Sequence, residues 1–172
     1  MNRTVVLAAR AEPRVVLRSA GPGDLEDLRA WKNANKAGFF FKGDITPEMQ
    51  RTWFDGYLAR PRDFMFVVER EGRKAGCLGF RILETGEADA YNIIAAPGAS
   101  GKGLMRAAMA VMCSYAADRF TRDIGCRVLK DNPAVSYYER CGFGIVGDGG
   151  DHHVFKLDWT RFAPAGYDAT EG

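Results

Sequence analysis

Residues 93–105 read IIAAPGASGKGLM, a β-branched run followed by a glycine-rich turn and then by the start of an alanine-rich helix. Consecutive amides at a helix N-terminus point outwards, and the helix dipole adds positive potential there. Glycines let backbone N–H groups curl around a phosphate without Cβ clashes, and Lys102 adds a mobile cation. The stretch therefore predicts a pyrophosphate-binding turn, although glycine turns before helices also occur for packing alone. The GxxxxGK[ST] spacing of a nucleotide P-loop is missing.

A second informative segment covers residues 132–143 and reads NPAVSYYERCGF. Asn132 is a typical helix cap, Pro133 suits the first helical position, and Gly142 suits the position just after the last. Taken alone, the segment predicts a short structural helix with core tyrosines.

The elements around these two segments follow from hydrophobic periodicity and turn residues. Helices are predicted to begin after the caps Asp24 and Thr46, and a long buried helix is predicted over residues 104–119. Strands are predicted over residues 14–18, 64–69, 75–83, 88–95, 124–129, 143–146 and 153–159. This order predicts an α/β or α+β fold around one central mixed, mostly antiparallel sheet flanked by about four helices.

Length and composition restrict the class of protein. A chain of 172 residues fits a single domain over 1–172, with residues 1–13 and 164–172 expected to be mobile ends. The net charge of +2, with no Lys/Arg run longer than a pair, argues against a nucleic-acid partner. The four cysteines are scattered and the two histidines are adjacent, so no metal site is predicted. We expect buried, reduced thiols in a cytoplasmic protein without a membrane partner.

Together, the two segments resemble the two-motif signature of the GNAT acetyltransferases. The resemblance covers about residues 15–159, nearly the whole chain. It implies acetyl-CoA as co-substrate, with the strand before the glycine loop splayed from its neighbour to bind pantetheine. The pantetheine residues implied are Ile93, Ile94 and Ala95. The pyrophosphate residues implied are Ser100, Gly101, Lys102, Gly103, Leu104 and Met105, and Asn132 contacts CoA further along.

Three positions depart from the family pattern. Arg or Gln is usual where Ser100 stands, and Gly or Ala is usual where Met105 stands. The first change removes a side-chain contact, and the second puts bulk at the helix start, which predicts a shifted loop. Asn132 also lies one residue closer to Tyr138 than in many members.

The reaction implied by the resemblance is direct attack of a neutral amine on a thioester. Tyr138 stands where the family places the tyrosine that protonates the leaving sulfur, while its neighbour Tyr137 is expected in the core. Asp89 is the candidate base, acting through water, although it and Glu87 also suit solvated positions at a strand start. His152 is a weaker alternative.

The first half of the chain resembles the GNAT branch that acetylates nucleotide-linked amino sugars. Trp31, Asn33 and Phe40 are the implied substrate contacts, because aromatic rings stack on bases and pack against sugars. Tryptophans at helical spacing are also common core residues. Two alternatives stay open: acetylation of a protein N-terminus, and a non-catalytic acyl-CoA-binding domain. A homodimer is possible through the strand over residues 153–159.

Overall fold

The computed structural model describes residues 4–172, whose strands all join one sheet. The strands are β1 (Val5–Ala9), β2 (Val16–Ser19), β3 (Asp63–Arg70), β4 (Arg73–Ile82), β5 (Ala88–Ala95), β6 (Ile124–Leu129), β7 (Phe143–Asp148), β8 (His152–Leu157) and β9 (Tyr167–Glu171). The α-helices are α1 (Leu25–Ala34), α2 (Pro47–Ala59), α3 (Leu104–Arg119) and α4 (Val135–Arg140), with 3-10 turns at Pro22–Asp24 and Lys36–Gly38.

The sheet is mixed, as the sequence predicts. Its strand order is β7-β8-β6-β5-β4-β3-β2-β1-β9. The β5–β6 pair is parallel, and the other neighbouring strands run antiparallel. The predicted fold class is therefore confirmed.

Two apolar layers cover the sheet because side chains alternate between its faces. Phe64, Phe66 and Val68 of β3 join the larger cluster around α3. Met65 and Val67 join the smaller cluster with α1 and α2. The two clusters thus lie on opposite faces, and all four cysteines are buried within them.

Helix starts agree with the sequence at α1 and α2 and differ at α4. Thr46 Oγ1 accepts a hydrogen bond of 3.1 Å from Met49 N, and α3 has the predicted bounds. Asp24 precedes α1 without a side-chain cap bond, because its carboxylate is engaged by Arg18 instead. Asn132 Oδ1 accepts from Ala134 N at 2.9 Å, so a turn precedes α4 and the helix is shorter than expected.

Residues 4–13 and 164–172 contain paired strands, unlike the expected mobile ends, while residues 1–3 lie outside the described residues. β1 pairs with β9 from Val5↔Glu171 to Ala9↔Tyr167, and Val5 is fully buried. Backbone pairing orders the C-terminal segment, which has no apolar pattern of its own to reveal it. Among residues 4–172, no helix is long and apolar enough to cross a membrane.

The expected dimer strand is also placed differently. β8 lies between β6 and β7 and is hydrogen-bonded to both, so it offers no free edge to a second copy. In the part of the chain that the structure describes, the outer strands of the sheet are β7 and β9.

Candidate active site

A cleft opens between β5 and β6. The two strands are in register only at Ala88↔Ile124 and Asp89↔Gly125 within residues 4–172, and beyond these pairs they run on to Ala95 and Leu129 separately. Parallel strands that separate in this way leave backbone groups of β5 available to a ligand. This arrangement is the splay that the sequence resemblance implies.

A β-bulge marks β5 at the cleft. The register with β4 shifts between Cys77 and Gly79, and Asn92 has a positive φ of 50°. Cys77 Sγ donates to Asn92 O at 3.3 Å. Bulges redirect side chains and are common beside active sites. Here the bulge places Asn92 and Ile94 against a pocket on the α1 and α2 face.

The glycine loop after β5 contains three glycines with left-handed backbone conformations. Gly98, Gly101 and Gly103 have φ values of 78°, 79° and 71°, which other residues adopt only with strain. A Cβ atom at any of the three would meet nothing within 4 Å, so the space beside these glycines is open to a ligand. The first amides of α3, starting at Leu104, have no acceptor within the helix. The loop therefore fits a pyrophosphate group, and the exposed Lys102 stands beside it.

The Met105 side chain packs into the core and does not occupy the glycine loop. It is buried in the α3 cluster, against Gly76 of β4, where an added Cβ would lie 2.9 Å from Met105 Sδ. The missing side chain at Gly76 makes room for the methionine. The predicted shift of the loop therefore has a compensating feature in the neighbouring strand.

Tyr138 is a buried residue whose hydroxyl has no hydrogen-bond partner within residues 4–172. Its side chain packs against the rings of Tyr137, Phe143 and Phe155 and is 7% exposed. Among residues 4–172, no group bonds its hydroxyl. Burial raises its pKa well above the ordinary value, and Cys126 adds to the effect, so the phenol holds its proton.

Tyr137 has a structural role. Its hydroxyl donates to Met105 O at 2.9 Å, which ties α4 to the first turn of α3. The prediction that Tyr137 is a packing residue agrees with this contact. The two adjacent tyrosines thus differ in one respect: one hydroxyl is used within the fold and the other is not.

A second cavity, of about 250 Å³, lies on the α1 and α2 face beside the bulge. We call it the acceptor pocket. Its lining residues are Leu28, Lys32, Phe41, Ile45, Met49, Gln50, Trp53, Met65, Cys77, Asn92 and Ile94. Ile94, which the sequence assigns to pantetheine, is shared between this pocket and β5.

The three predicted substrate residues do not line this pocket. Trp31 is a core residue, 7% exposed. Asn33 clamps the backbone of Ile45, since Nδ2 donates to its carbonyl at 3.0 Å and Oδ1 accepts from its amide at 2.7 Å. Phe40 is on the surface, edge-on to the ring of His152 at 5.3 Å. Asn33 thus holds the lining residue Ile45 in place, and Phe41, next to Phe40, lines the pocket itself.

The sequence analysis missed Lys32, Asn92 and Trp53 as pocket residues. Lys32 Nζ donates to Asn92 Oδ1 at 2.7 Å across 60 positions of sequence. The only available signal was Asn92 itself, a polar residue inside an apolar strand, which is a usual mark of a bulge.

The candidate bases are engaged in ion pairs away from the pocket lining. Asp89 lies 3.0 Å from Arg81 and Glu87 lies 2.7 Å from Lys156. His152 contacts Asp151 at 2.7 Å. No carboxylate or imidazole is among the residues that line the pocket. Asp89 as the base stays a prediction.

A family model described as "Acetyltransferase (GNAT) domain" matches residues 14–144. The chain belongs to the GNAT acetyltransferase family. The match includes the splayed strand, the glycine loop, α3 and α4. None of the curated protein sequences matches this GNAT domain significantly.

Solved structures share the fold. Spermidine N-acetyltransferase from Vibrio cholerae, solved with CoA and spermine, is 23% identical, with a TM-score of 0.70 over 83% of this GNAT domain and 92% of that chain. FdhC, a nucleotide-linked sugar GNAT, is 14% identical and has a TM-score of 0.71. The match covers 94% of this chain and 93% of FdhC. RimL, a ribosomal L7/L12 α-N-protein acetyltransferase, is 19% identical and has a TM-score of 0.69. The match covers 88% of this chain and 92% of RimL. Their acceptors differ, so this likeness establishes the fold and leaves the acceptor to the site.

Proposed function

We propose that this GNAT domain transfers an acetyl group from acetyl-CoA to a primary amine by direct attack, with Tyr138 as the acid. The observation that carries the proposal is Tyr138, a residue that is 7% exposed and whose hydroxyl no group among residues 4–172 bonds. A buried phenol without a partner is unfavourable for folding. Tyr138 adjoins Tyr137, whose hydroxyl bonds Met105 at the start of α3, and a bond from the Tyr138 hydroxyl to a ligand would remove that cost.

The residues fit the cofactor in two places. The open glycine turn, with Gly101, Lys102 and Gly103, suits the pyrophosphate. The part of β5 from Ile93 to Ala95, which does not pair with β6, suits the pantetheine amides. Acetyl-CoA, when bound, supplies the thioester whose acetyl group is transferred. We propose no direct CoA contact for Asn132, because both ends of its amide are used within the fold.

The chain contributes a proton and oriented backbone groups to the transfer. The amine nitrogen donates its electron pair to the acetyl carbonyl carbon, and the carbon–sulfur bond breaks. Tyr138 Oη gives its proton to the departing sulfur, since a phenol is protonated at neutral pH even at its ordinary pKa. Backbone N–H groups near the Asn92 bulge orient and polarise the carbonyl. Asp89 is our proposed acceptor of the amine proton, through water.

For the acceptor, we propose the amino group of a nucleotide-linked amino sugar. Phe41 and Trp53 offer aromatic faces in the pocket wall, which suit the apolar face of a sugar. The cavity of about 250 Å³ is below the range typical of drug-sized ligands. The amine-bearing end of the acceptor therefore enters the pocket, and the nucleotide lies outside it.

Thiol release from acetyl-CoA, measured against a panel of amines, tests the proposal. The panel contains nucleotide-linked amino sugars, free amino sugars, spermidine and short peptides with free N-termini. Release that depends on a nucleotide-linked amino sugar supports both the reaction and the acceptor. Turnover with peptides alone would support the acetyl transfer and contradict the proposed acceptor, in favour of a protein N-terminus. Silence across the panel, with acetyl-CoA bound in calorimetry, would contradict catalysis and favour an acyl-CoA-binding domain.

A further inference from the structure

Lys32 is the one charged side chain among the residues that line the acceptor pocket. Its Nζ donates to Asn92 Oδ1 at 2.7 Å and lies 4.8 Å from the centre of the Phe39 ring. An ammonium group has three N–H donors, so donors remain for a ligand. The ammonium therefore stands at the bulge, where the pocket meets β5.

No carboxylate compensates this ammonium. None of the ion pairs formed among residues 4–172 includes Lys32. Burial lowers its pKa, with a smaller contribution from the charge of Arg81. A desolvated cation without a counter-ion is unfavourable. An anionic ligand group would supply the missing charge.

Two carboxylates of the strands on this face of the sheet are paired with arginines. Asp63 Oδ2 lies 2.7 Å from Arg60 Nε, and Asp89 is paired with Arg81. A polycationic acceptor needs uncompensated negative charge, and it would meet Lys32 as a like charge instead. Among the residues that line the pocket, the charge of Lys32 therefore opposes the binding of a polyamine.

We propose that Lys32 binds an anionic group of the acceptor, a carboxylate or a phosphate. The acceptor is then a primary amine that also carries negative charge. This inference rests on the proposed acetyl transfer, because it assigns the acceptor to the same pocket. A nucleotide-linked amino sugar meets the requirement through its diphosphate, and an amino acid meets it through its carboxylate.

The test compares acceptors in matched pairs that differ in charge. One arm uses amino acids against their amides, and the other uses amino-sugar phosphates against free amino sugars, with spermidine as the cationic reference. We expect kcat/KM to favour the anionic member of one arm by about ten-fold or more. The arm that responds identifies the group as carboxylate or phosphate. Equal rates within both arms, or a preference for spermidine, would overturn the inference.

Three variants locate the effect. Lys32→Met should reduce the preference for the anionic amine to about one, and Lys32→Arg should retain most of it. Lys36→Met is the matched control, since Lys36 is on the surface and paired with Asp44 at 2.7 Å. A preference that survives in Lys32→Met would mean that Lys32 only anchors Asn92, and the inference would be wrong. Circular dichroism identifies a variant that fails to fold, in which case Lys32→Gln replaces it.

Direct binding separates this inference from the proposed function. Calorimetry on the unmodified chain measures affinity for the same amine pairs without turnover. Tighter binding of the anionic amine, lost in Lys32→Met, supports the Lys32 site even if no amine is acetylated, whereas the proposed function then fails. Thiol release at equal rates with neutral and anionic amines would support the proposed function and overturn the Lys32 site.

Discussion

The side-chain amide of Asn132 donates a hydrogen bond of 3.2 Å to the backbone carbonyl of Gly38, 94 residues away. Asn132 follows β6, and Gly38 ends the 3-10 turn between α1 and α2. The bond therefore connects the far side of the cofactor cleft to the segment that continues into the wall of the acceptor pocket. A Cβ on Gly38 would lie 3.0 Å from Asn132 Nδ2, so the contact has little room for change.

This contact predicts a separation of two binding constants. In Asn132→Ala, we expect the KM for the amine to rise by about 2–10-fold, the equivalent of one lost hydrogen bond, while the Kd for CoA stays within about two-fold. Calorimetry and steady-state kinetics measure the two. Asn35→Ala is the control, because Asn35 Nδ2 bonds the nearby carbonyl of Trp31 at 2.8 Å. A large loss of CoA affinity would instead restore Asn132 as a CoA contact.

The buried phenol predicts a loss of turnover without a loss of binding. Tyr138→Phe should lower kcat by about ten-fold or more and leave CoA affinity nearly unchanged. Tyr137→Phe removes the hydroxyl of the neighbouring ring and its bond to Met105. That control should reduce stability by about 1 kcal/mol with little change in kcat. If both variants turn over at the wild-type rate, Tyr138 is not the acid.

Glycine substitutions test the pyrophosphate loop. Gly101→Ala places a Cβ in open space at φ 79°, so it combines backbone strain of about 1–2 kcal/mol with an obstacle to a phosphate. Gly86→Ala carries the same strain at φ 88°, also in open space, in the turn before β5. We expect both to lower the melting temperature and only Gly101→Ala to weaken CoA binding. Equal CoA affinity in the two variants would count against the loop as the site.

Asp24 predicts a pH-dependent contribution to stability. Its carboxylate is 4% exposed and bonds Arg18, Gly21 N and Lys74. These bonds hold its pKa well below the ordinary value, against the opposing effect of burial. A lowered pKa stabilises the fold above the unfolded-state pKa of about 3.9, and the contribution is lost as pH falls through the folded-state pKa.

Urea unfolding of Asp24→Asn measures that contribution. We expect a loss of about 2–3 kcal/mol at pH 7 and a smaller difference from wild type at pH 3. Asp168→Asn is the control, since its pair with Arg10 at 2.8 Å is on the surface and surface pairs contribute little. A difference for Asp24→Asn that is constant with pH would show that the side chain acts by packing alone.

The elements that the sequence predicts well are those with strong local signals. α3 has the expected bounds because a glycine at φ 71° precedes it and buried apolar residues continue through all of its turns. α2 begins as expected because Thr46 and Pro47 satisfy the first amides locally. In both helices, the information lies within a few residues of the boundary.

The features that the sequence does not reveal depend on distant partners. β9 exists because β1 pairs with it, and no residue in the tail signals that partner. The acceptor pocket is another case, since Lys32 and Asn92 meet only when α1 packs beside the β5 bulge. Periodicity describes which face of an element is buried, but it does not identify which residues of two elements will touch.

The short register between β5 and β6 has a consequence for heat resistance. Two residue pairs, Ala88↔Ile124 and Asp89↔Gly125, join two parts of the sheet. One part has six strands, from β5 to β9 in the strand order, and the other has three, β6, β8 and β7. A ligand bound between the two parts would stabilise the fold, because it would contact both and bind only the folded state. The melting temperature of the loaded protein then rises with the concentration of free cofactor. The heat resistance of the protein would therefore depend on the supply of cofactor as well as on the amino-acid sequence.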